Sequence, residues 1–496
     1  MIALLPAFLI GLITSAFSCL ENAAWWQMLS LACFWVFLDK KNFQAAKKQA
    51  VLGWAFGFGY FSLGLCWLYI SLHDIGGMHA LMAIGGVLAL SAFLALFTSF
   101  AVCLGTRFHD RTFSALAWAS AWTLSEWLRT HILTGFPWIG YGDTQVNGPF
   151  SGLIPIFGAL GGTFAALWAA QKIASSPRKL FLPLISVGFA ILGSSLLKNI
   201  EFTQPIGKML EVRLVQGNFE QSMFFNPLLI KRQIDFYEHA LTSKSADLIV
   251  TPETAFPLPK DRLDPDLDRR IQQFSTQSNT HILTGSIGEV DGQYSNRATG
   301  YSPLASSYTY DKEHLVPFGE YIPKGFNWFV EAINAPLSNF AIGSKNQPDF
   351  PIIRENQPNL YAAITICYED VFGDELASRL RNLKTDTNLL INMTNLAWFG
   401  DSQAPDQQLR LSRLRSLETG LPSIRATNTG ATAIVNYKGE IIQRLPGFKQ
   451  DSLIGSVQAR TGKTPFVEWG DFPILLISLM ILLSSTLRLR QTFYRA

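Results

Sequence analysis

Residues 359–370 read NLYAAITICYED, an apolar, β-prone run that stops at one thiol, Cys367, and is followed at once by Glu369 and Asp370. A run of this composition predicts a buried strand. A strand that ends on a cysteine holds that side chain on a rigid support while the next loop exposes it. The thiol is alone in its part of the chain, because Cys19, Cys33, Cys66 and Cys103 all lie in apolar runs nearer the start. With no disulfide partner in view, Cys367 is a small buried hydrophobe, a site of intermolecular pairing or a reactive group.

Outward from this strand the pattern repeats. Short β-type runs at 211–216, 247–250, 281–285, 359–366, 388–393 and 431–437 alternate with polar, helix-compatible stretches such as NPLLIKRQIDFYEHALTSK and QQLRLSRLRSLETGL. That alternation predicts an α/β domain over residues 200–470. YKGE at 437–440, between β-type flanks, predicts a hairpin turn.

The rest of the chain is of another kind. A hydrophobic content of 48% with 16% charge is too apolar for an ordinary soluble protein of 496 residues. Apolar runs at 2–20, 23–38, 51–72, 81–105, 112–127, 148–170, 180–197 and 472–487 come near the ~17–25 residues that cross a bilayer. They predict a polytopic α-helical membrane domain of about eight spans, seven over residues 1–199 and the last, with a basic tail, over 471–496. The second and fifth runs are the weakest and either cross or lie tilted within the bundle.

The loops DKKNFQAAKKQA, TRFHDRT and QKIASSPRK are basic, while SCLENA, SLHDIGGMHA and GFPWIGYGDTQVNG are nearly free of Lys and Arg. By the positive-inside rule both termini are then cytoplasmic and the α/β domain lies on the far side. No basic region precedes the first run, which is therefore expected to stay as an uncleaved helix. A net charge of +3 with 40 scattered basic residues gives no footprint for nucleic acid. The seven histidines show no paired spacing of metal ligands. GGVLALSAF and GALGGTFAAL carry small residues suited to helix packing, and Glu126 is placed to pair with Arg129 three residues on.

Two further polar groups stand at predicted strand ends, Glu253 in DLIVTPETAFP and Lys312 in YTYDKEHLVPFGEYIP. Taken singly, a Glu or Lys is usually a solvated surface charge. Together with Cys367 they make a chemical set. A thiol of ordinary pKa near ~8.5 is protonated at neutral pH and needs a base, which Glu253 supplies. Attack on a carbonyl creates an oxyanion, for which Lys312 and the backbone N–H of Tyr368 are the candidate donors. Glu320 is placed to hold the lysine or assist the proton transfer.

The order Glu, Lys, Cys in the contexts PET, YDKEHLVPFGEY and ICYED resembles the nitrilase, or carbon–nitrogen hydrolase, superfamily. The resemblance implies an α-β-β-α sandwich, with Glu253 as general base, Lys312 as oxyanion stabiliser and Cys367 as nucleophile. The flanking apolar runs, with VQGN at 215–218, NLAWFGDS at 395–402 and RATNTG at 425–430, are similar to the apolipoprotein N-acyltransferase family. That likeness implies a multi-pass enzyme of the bacterial inner membrane, monomeric and without cofactor or metal, whose catalytic domain is periplasmic. Its donor would be a phospholipid, its intermediate a thioester on Cys367, and its acceptor the free amine of a diacylglyceryl-cysteine lipoprotein. It also implies functional positions at Glu320, Tyr368 and Glu369, and a packing or substrate role for Trp398.

The chain departs from the family pattern at Phe225, at Leu396 and in PDQQ at 405–408. Phe224, Phe225, Phe326, Trp328, Phe329 and Phe340 either cover a lipid tail from loops or pack in the core. Two rival functions remain. One is a membrane-tethered amidase in which water resolves the thioester; the other is a polytopic scaffold that has lost catalysis.

Overall fold

The computed structural model describes residues 3–20, 22–40, 45–108, 114–174, 181–221, 226–304, 307–325 and 339–493. The chain divides into two units, one of Met1–Tyr69, His79–Glu201 and Glu468–Ala496, the other of Ile70–Met78 and Phe202–Val467. Among the expected loop aromatics, Phe224, Phe225, Phe326, Trp328 and Phe329 lie outside the described residues, and Phe340 is half-buried.

The first unit is helical. Helices α1 (Leu4–Phe17), α2 (Ala23–Lys40), α3 (Ala46–Gly64), α4 (Ala80–Gly105), α5 (Ser114–His131), α6 (Ile154–Ala174) and α7 (Phe181–Leu197), with the late helix Phe472–Phe493, each overlap one of the eight apolar runs. The stretches Ala80–Phe108 and Ser151–Ala174 are long and apolar enough to cross a membrane, whereas Leu4–Phe17, Ala23–Asp39, Phe181–Leu197 and Phe472–Leu487 are shorter apolar helices. Backbone contact between α1 and α3 depends on two glycines: a Cβ on Gly11 would sit 2.0 Å from Phe56 O, and one on Gly59 would sit 2.2 Å from Phe8 O.

Small residues pack as the sequence placed them in GALGGTFAAL, whose Gly158, Gly161 and Gly162 are buried, but less so in GGVLALSAF. Gly85, in GGVLALSAF, faces open space, and α4 is instead received by Gly53 and Gly57 of α3. The run at 148–170 is also not one straight helix, since a 3-10 turn at Ser151–Leu153 precedes α6 and Gly158 breaks it at φ 65°. Glu126 and Arg129 do pair, at 3.2 Å and buried. Glu126 Oε1 also accepts the Tyr141 N–H at 2.8 Å, and Arg129 donates to Trp138 O at 3.0 Å, so the α5 end and the 136–141 loop satisfy one another.

The second unit is built from two large sheets, with a small two-stranded one pairing Gln204–Pro205 with Arg460–Thr461. The first holds β1 (Leu210–Gln216), β2 (Leu248–Val250), β3 (Phe256–Pro259), β4 (His281–Val290), β5 (Gln293–Tyr301) and β6 (Tyr308–Asp311). The second holds β7 (Phe350–Ile352), β8 (Leu360–Ile366), β9 (Leu389–Thr394), β10 (Ser423–Thr427), β11 (Ala433–Val435) and β12 (Ile441–Arg444), and β13 (Asp451–Val457) returns to the first sheet beside β1. Strand order is β13-β1-β2-β4-β5-β6, with β3 on β4, in one sheet and β12-β11-β10-β9-β8-β7 in the other. The centres are parallel, β1–β2–β4 and β8–β9–β10, and the edges are antiparallel. The hairpin expected at 437–440 joins β11 to β12.

Alternation along the strands makes the layers. Leu360, Ala362, Ile364 and Ile366 of β8 share one buried cluster with Leu210, Val212 and Leu214 of β1, so these faces meet between the sheets. The opposite faces are covered by helices. On the first sheet, Tyr237 and Leu241 of α8 (Pro227–Thr242) and Ile271 of α9 (Leu267–Ser278) pack on Ile249 and Ile282. On the second, Leu376 and Leu380 of α10 (Gly373–Asn382) pack on Ala363 and Leu390, and Leu409 of α11 (Ala404–Thr419) packs with Ala433 and Val435. The unit is an α-β-β-α sandwich, and strands apolar on both faces follow from burial on both sides.

Candidate active site

Parallel strands of an α/β sheet present functional groups beyond their carboxyl ends, and three such ends carry this site. Glu253 follows β2, Cys367 follows β8, and Thr394 and Asn395 lie at the end of β9. Lys312 follows β6, the edge strand of the first sheet.

Glu253 is held by its surroundings. Its loop runs so close to β4 that a Cβ on Gly285 would lie 2.3 Å from Pro252 O, so only glycine fits there. The carboxylate is buried and fully used: Oε1 accepts Asn296 Nδ2 at 2.7 Å and Lys312 Nζ at 3.3 Å, and Oε2 accepts the Asn395 N–H at 2.8 Å. Lys312 is itself buried and donates to Glu320 Oε1 at 2.9 Å. Asn296 Nδ2 reaches Glu320 Oε1 at 2.8 Å, and Glu320 Oε2 accepts the Val316 N–H at 2.8 Å. One ammonium thus sits between two carboxylates, and one amide bridges the same pair. Burial works against the Lys312 charge, but Glu320 and Glu253 outweigh it and hold the ammonium above the ordinary lysine range.

Cys367 occupies a left-handed backbone conformation, φ 52°, which is unfavourable for a residue with a Cβ. Its carbonyl is tied down by Gln408 Nε2 at 2.9 Å, from fully buried Gln408 on α11. The thiol is pushed up to about 12, by burial first and by the Glu253 charge second, with Lys312 opposing. The sulfur therefore lies where Glu253 and Lys312 both govern its ionisation.

Glu369 joins the Cys367 turn to the Lys312 loop. Oε2 accepts the Ile366 N–H at 2.6 Å, and Oε1 accepts the Glu313 N–H at 2.6 Å, the His314 N–H at 3.2 Å and the Tyr310 O–H at 3.0 Å. Burial raises its pKa against these donors. Asp370 points the other way, to Arg425 Nη1 at 3.1 Å and the Ser412 hydroxyl. Tyr368 is buried and packs its ring edge-on to Phe372 at 5.1 Å and His314 at 5.6 Å. Trp398, 41% exposed, is set apart in the turn Leu396–Phe399 just beyond Asn395.

All three triad candidates and Glu320 are thus gathered, with Glu369 acting as a staple beside them. Sequence reasoning missed Asn296, Gln408 and the role of Asn395. Asn395 donates to Gln221 Oε1 at 3.0 Å and accepts from Asn428 at 3.0 Å, and Asn428 Nδ2 reaches Phe219 O at 2.7 Å. The stretches VQGN, NLAWFGDS and RATNTG meet here, which is the signal that could have found these amides. Among the described residues, no cluster of His, Cys, Asp and Glu is arranged to hold a metal ion.

A sandwich of this kind, with carboxylate, ammonium and thiol gathered at its strand ends, defines a carbon–nitrogen hydrolase unit, and residues 213–466 match the family described as Carbon-nitrogen hydrolase. Residues 11–171 match the Apolipoprotein N-acyltransferase N-terminal domain. The apolipoprotein N-acyltransferase of Ralstonia nicotianae is 40% identical, over 98% of this chain and 93% of that one. Those of Bordetella bronchiseptica and Nitrosomonas europaea are each 35% identical, over 90% and 89% of this chain. This chain belongs to the apolipoprotein N-acyltransferase family. Among solved structures, a CN-hydrolase superfamily protein from Xanthomonas campestris is 15% identical over 51% of this chain and 91% of that chain, with a TM-score of 0.37.

Proposed function

We propose that this chain transfers a fatty acyl chain from a phospholipid, through a thioester on Cys367, to the N-terminal amine of a diacylglyceryl-cysteine lipoprotein. The observation that carries this is Lys312 held between Glu253 and Glu320 beside a strained, protonated Cys367, in a chain whose relatives bear the name apolipoprotein N-acyltransferase. Glu253 takes the thiol proton as sulfur attacks the ester carbonyl. Lys312 and the Tyr368 N–H face the oxyanion, where one donor is worth about 3 kcal/mol. The amine then attacks the thioester at the same centre, with Glu253 again handling the proton. Glu320 keeps the lysine charged and placed, Glu369 fixes the turn that carries Cys367, and Trp398 faces the substrate side.

The same proposal covers topology: eight spans, seven over 1–199 and one over 471–496, cytoplasmic termini, a periplasmic domain over 200–470, and a monomer in the bacterial inner membrane. Two lipid-anchored substrates then reach a catalytic domain flanked in sequence by membrane helices. The deciding experiment uses purified protein and phospholipid labelled in its acyl chain. Label should appear on Cys367 and be discharged by a diacylated lipopeptide. Release of free fatty acid alone would favour the amidase-like route through water, and full function of Cys367→Ala in cells would favour a scaffold.

A further inference from the structure

Thr394 stands one position beyond Met393, which pairs with Ile366 in the parallel ladder of β9 and β8. Continuing the register brings Thr394 beside Cys367. Two positions earlier, on the same face, the side chains of the corresponding residues touch, with Asn392 Nδ2 donating to Thr365 Oγ1 at 3.0 Å. Thr394 is fully buried, and its hydroxyl has no nitrogen or oxygen partner among the described residues but lies against the Cys367 thiol as a side-chain donor. Buried hydroxyls are nearly always paired, so one left with this sulfur as its acceptor points to a state of the site in which it is used.

The thiolate is that state. Other donors nearby are already committed: Lys312 Nζ to two carboxylates, and the Gln408 and Asn392 amides to the Cys367 carbonyl rather than the sulfur. We propose that Thr394 is a further catalytic residue, its Oγ1–H donating to the Cys367 sulfur whenever that sulfur is negatively charged. The proposal rests on the acyl-transfer reading above. In the first half-reaction the thiol proton passes to Glu253, the S–C bond forms, the ester C–O bond breaks, and the lysophospholipid oxygen takes the proton. In the second, the amine gives a proton to Glu253, the N–C bond forms, the C–S bond breaks, and the departing thiolate is protonated in turn. Sulfur is anionic in both, and Thr394 serves both. The charged groups acting on the sulfur are Glu253, Lys312, Glu320 and Arg425, and the Thr394 hydroxyl works with Lys312 to favour the thiolate.

Alkylation of Cys367 by iodoacetamide tests this in the full chain, because that displacement makes a C–S bond without an oxyanion and so leaves out the oxyanion donors. Losing a charge-assisted hydrogen bond lowers the thiolate fraction about tenfold. The more basic thiolate is a better nucleophile, which recovers part of this, so Thr394→Val and Thr394→Ala should alkylate roughly three- to fivefold more slowly. Thr394→Ser should stay near the wild-type rate. Thioester discharge to a diacylated lipopeptide should slow about tenfold in the Val and Ala variants, since leaving sulfur gains nothing from higher basicity. Wild-type alkylation rates in Val and Ala overturn the proposal, as does Ser as slow as Ala, which would assign the effect to the methyl group. If the Val variant fails to fold, the Ala–Ser comparison decides. No acyl label on wild-type Cys367 would sink the acyl-transfer reading, while the alkylation rates still judge Thr394.

Discussion

Removing the Lys312 ammonium should cost the chain both activity and stability, and the two costs can be separated. With Lys312 present, Glu253 and Glu320 share one positive charge at 3.3 and 2.9 Å in a buried site. Lys312→Met leaves two carboxylates facing each other across Asn296, whose amide contacts both. Breaking a buried pair in this way typically costs about 3–5 kcal/mol, because the remaining charge is uncompensated. One carboxyl should respond by taking up a proton, which also weakens Glu253 as a base. Loss of an oxyanion donor adds a factor of about 10²–10³ in rate. Adding Glu320→Gln to Lys312→Met removes the repulsion, so thermal stability should recover by about half while thioester formation stays at least ~10²-fold down. Thermal melts in detergent and acyl labelling of Cys367 read the two effects independently. Labelling near the wild-type rate in Lys312→Met, or restored by the double variant, would refute the assignment of Lys312 to the oxyanion.

Three other outcomes follow from the same geometry. Gln408→Leu removes the donor that holds the Cys367 carbonyl in its left-handed conformation, a strain of about 1–2 kcal/mol, and should slow acyl labelling about tenfold; an unchanged rate would show that the turn holds itself. Glu369→Gln turns an acceptor of four N–H and O–H groups into an amide whose NH₂ faces a donor, and should lower stability by roughly 2–3 kcal/mol, visible as a fall in the melting temperature; an unshifted melt counts against the staple. His281 is buried, accepts the Ile353 N–H at 3.0 Å, and is pushed down to about 4 by burial. From pH 6.5 downward the unfolded chain gains a proton that the folded chain refuses, so stability should fall by about 3 kcal/mol on approaching pH 4. His281→Leu should flatten that part of the pH–stability curve, and an identical slope in the variant would refute it.

Much of the sandwich was legible because its central strands are apolar on both faces: β1, β2, β8 and β9 each announce themselves within a residue or two. Among the unforeseen strands, β5, β6 and β13 are antiparallel and nearer the edges, where GQYSNRATGY and DSLIGSV mix polar with apolar residues. By contrast, β10 is central and parallel to β9 but reads SIRAT, with Arg425 buried on Asp370, and so lacks an apolar run. The same limit applies to the site. Glu253, Lys312 and Cys367 could be found because each is a reactive type at a strand end. Asn296 could not, since an amide in mid-strand looks like surface until β5 places it between two carboxylates 24 and 43 residues away. Gln408 was flagged only as a departure in PDQQ, and it took the packing of α11 against the Cys367 turn to show what its amide holds.

The charge arrangement also bears on why such a site would transfer rather than hydrolyse. A thiol pushed up to about 12 is a reluctant leaving group as thiolate, so a thioester on Cys367 should resist casual cleavage. Water, a weak nucleophile, needs strong general-base help to resolve it. An amine needs less help, being the stronger nucleophile once deprotonated. On the proposed acyl-transfer route, the burial that makes the cysteine hard to ionise favours a long-lived acyl-enzyme awaiting an amine, while the lysine and the Thr394 hydroxyl keep ionisation within reach at the moment of attack. Raising the pKa by desolvation and lowering it through two fixed donors are opposing effects on one sulfur, and their balance sets whether the intermediate waits or leaks.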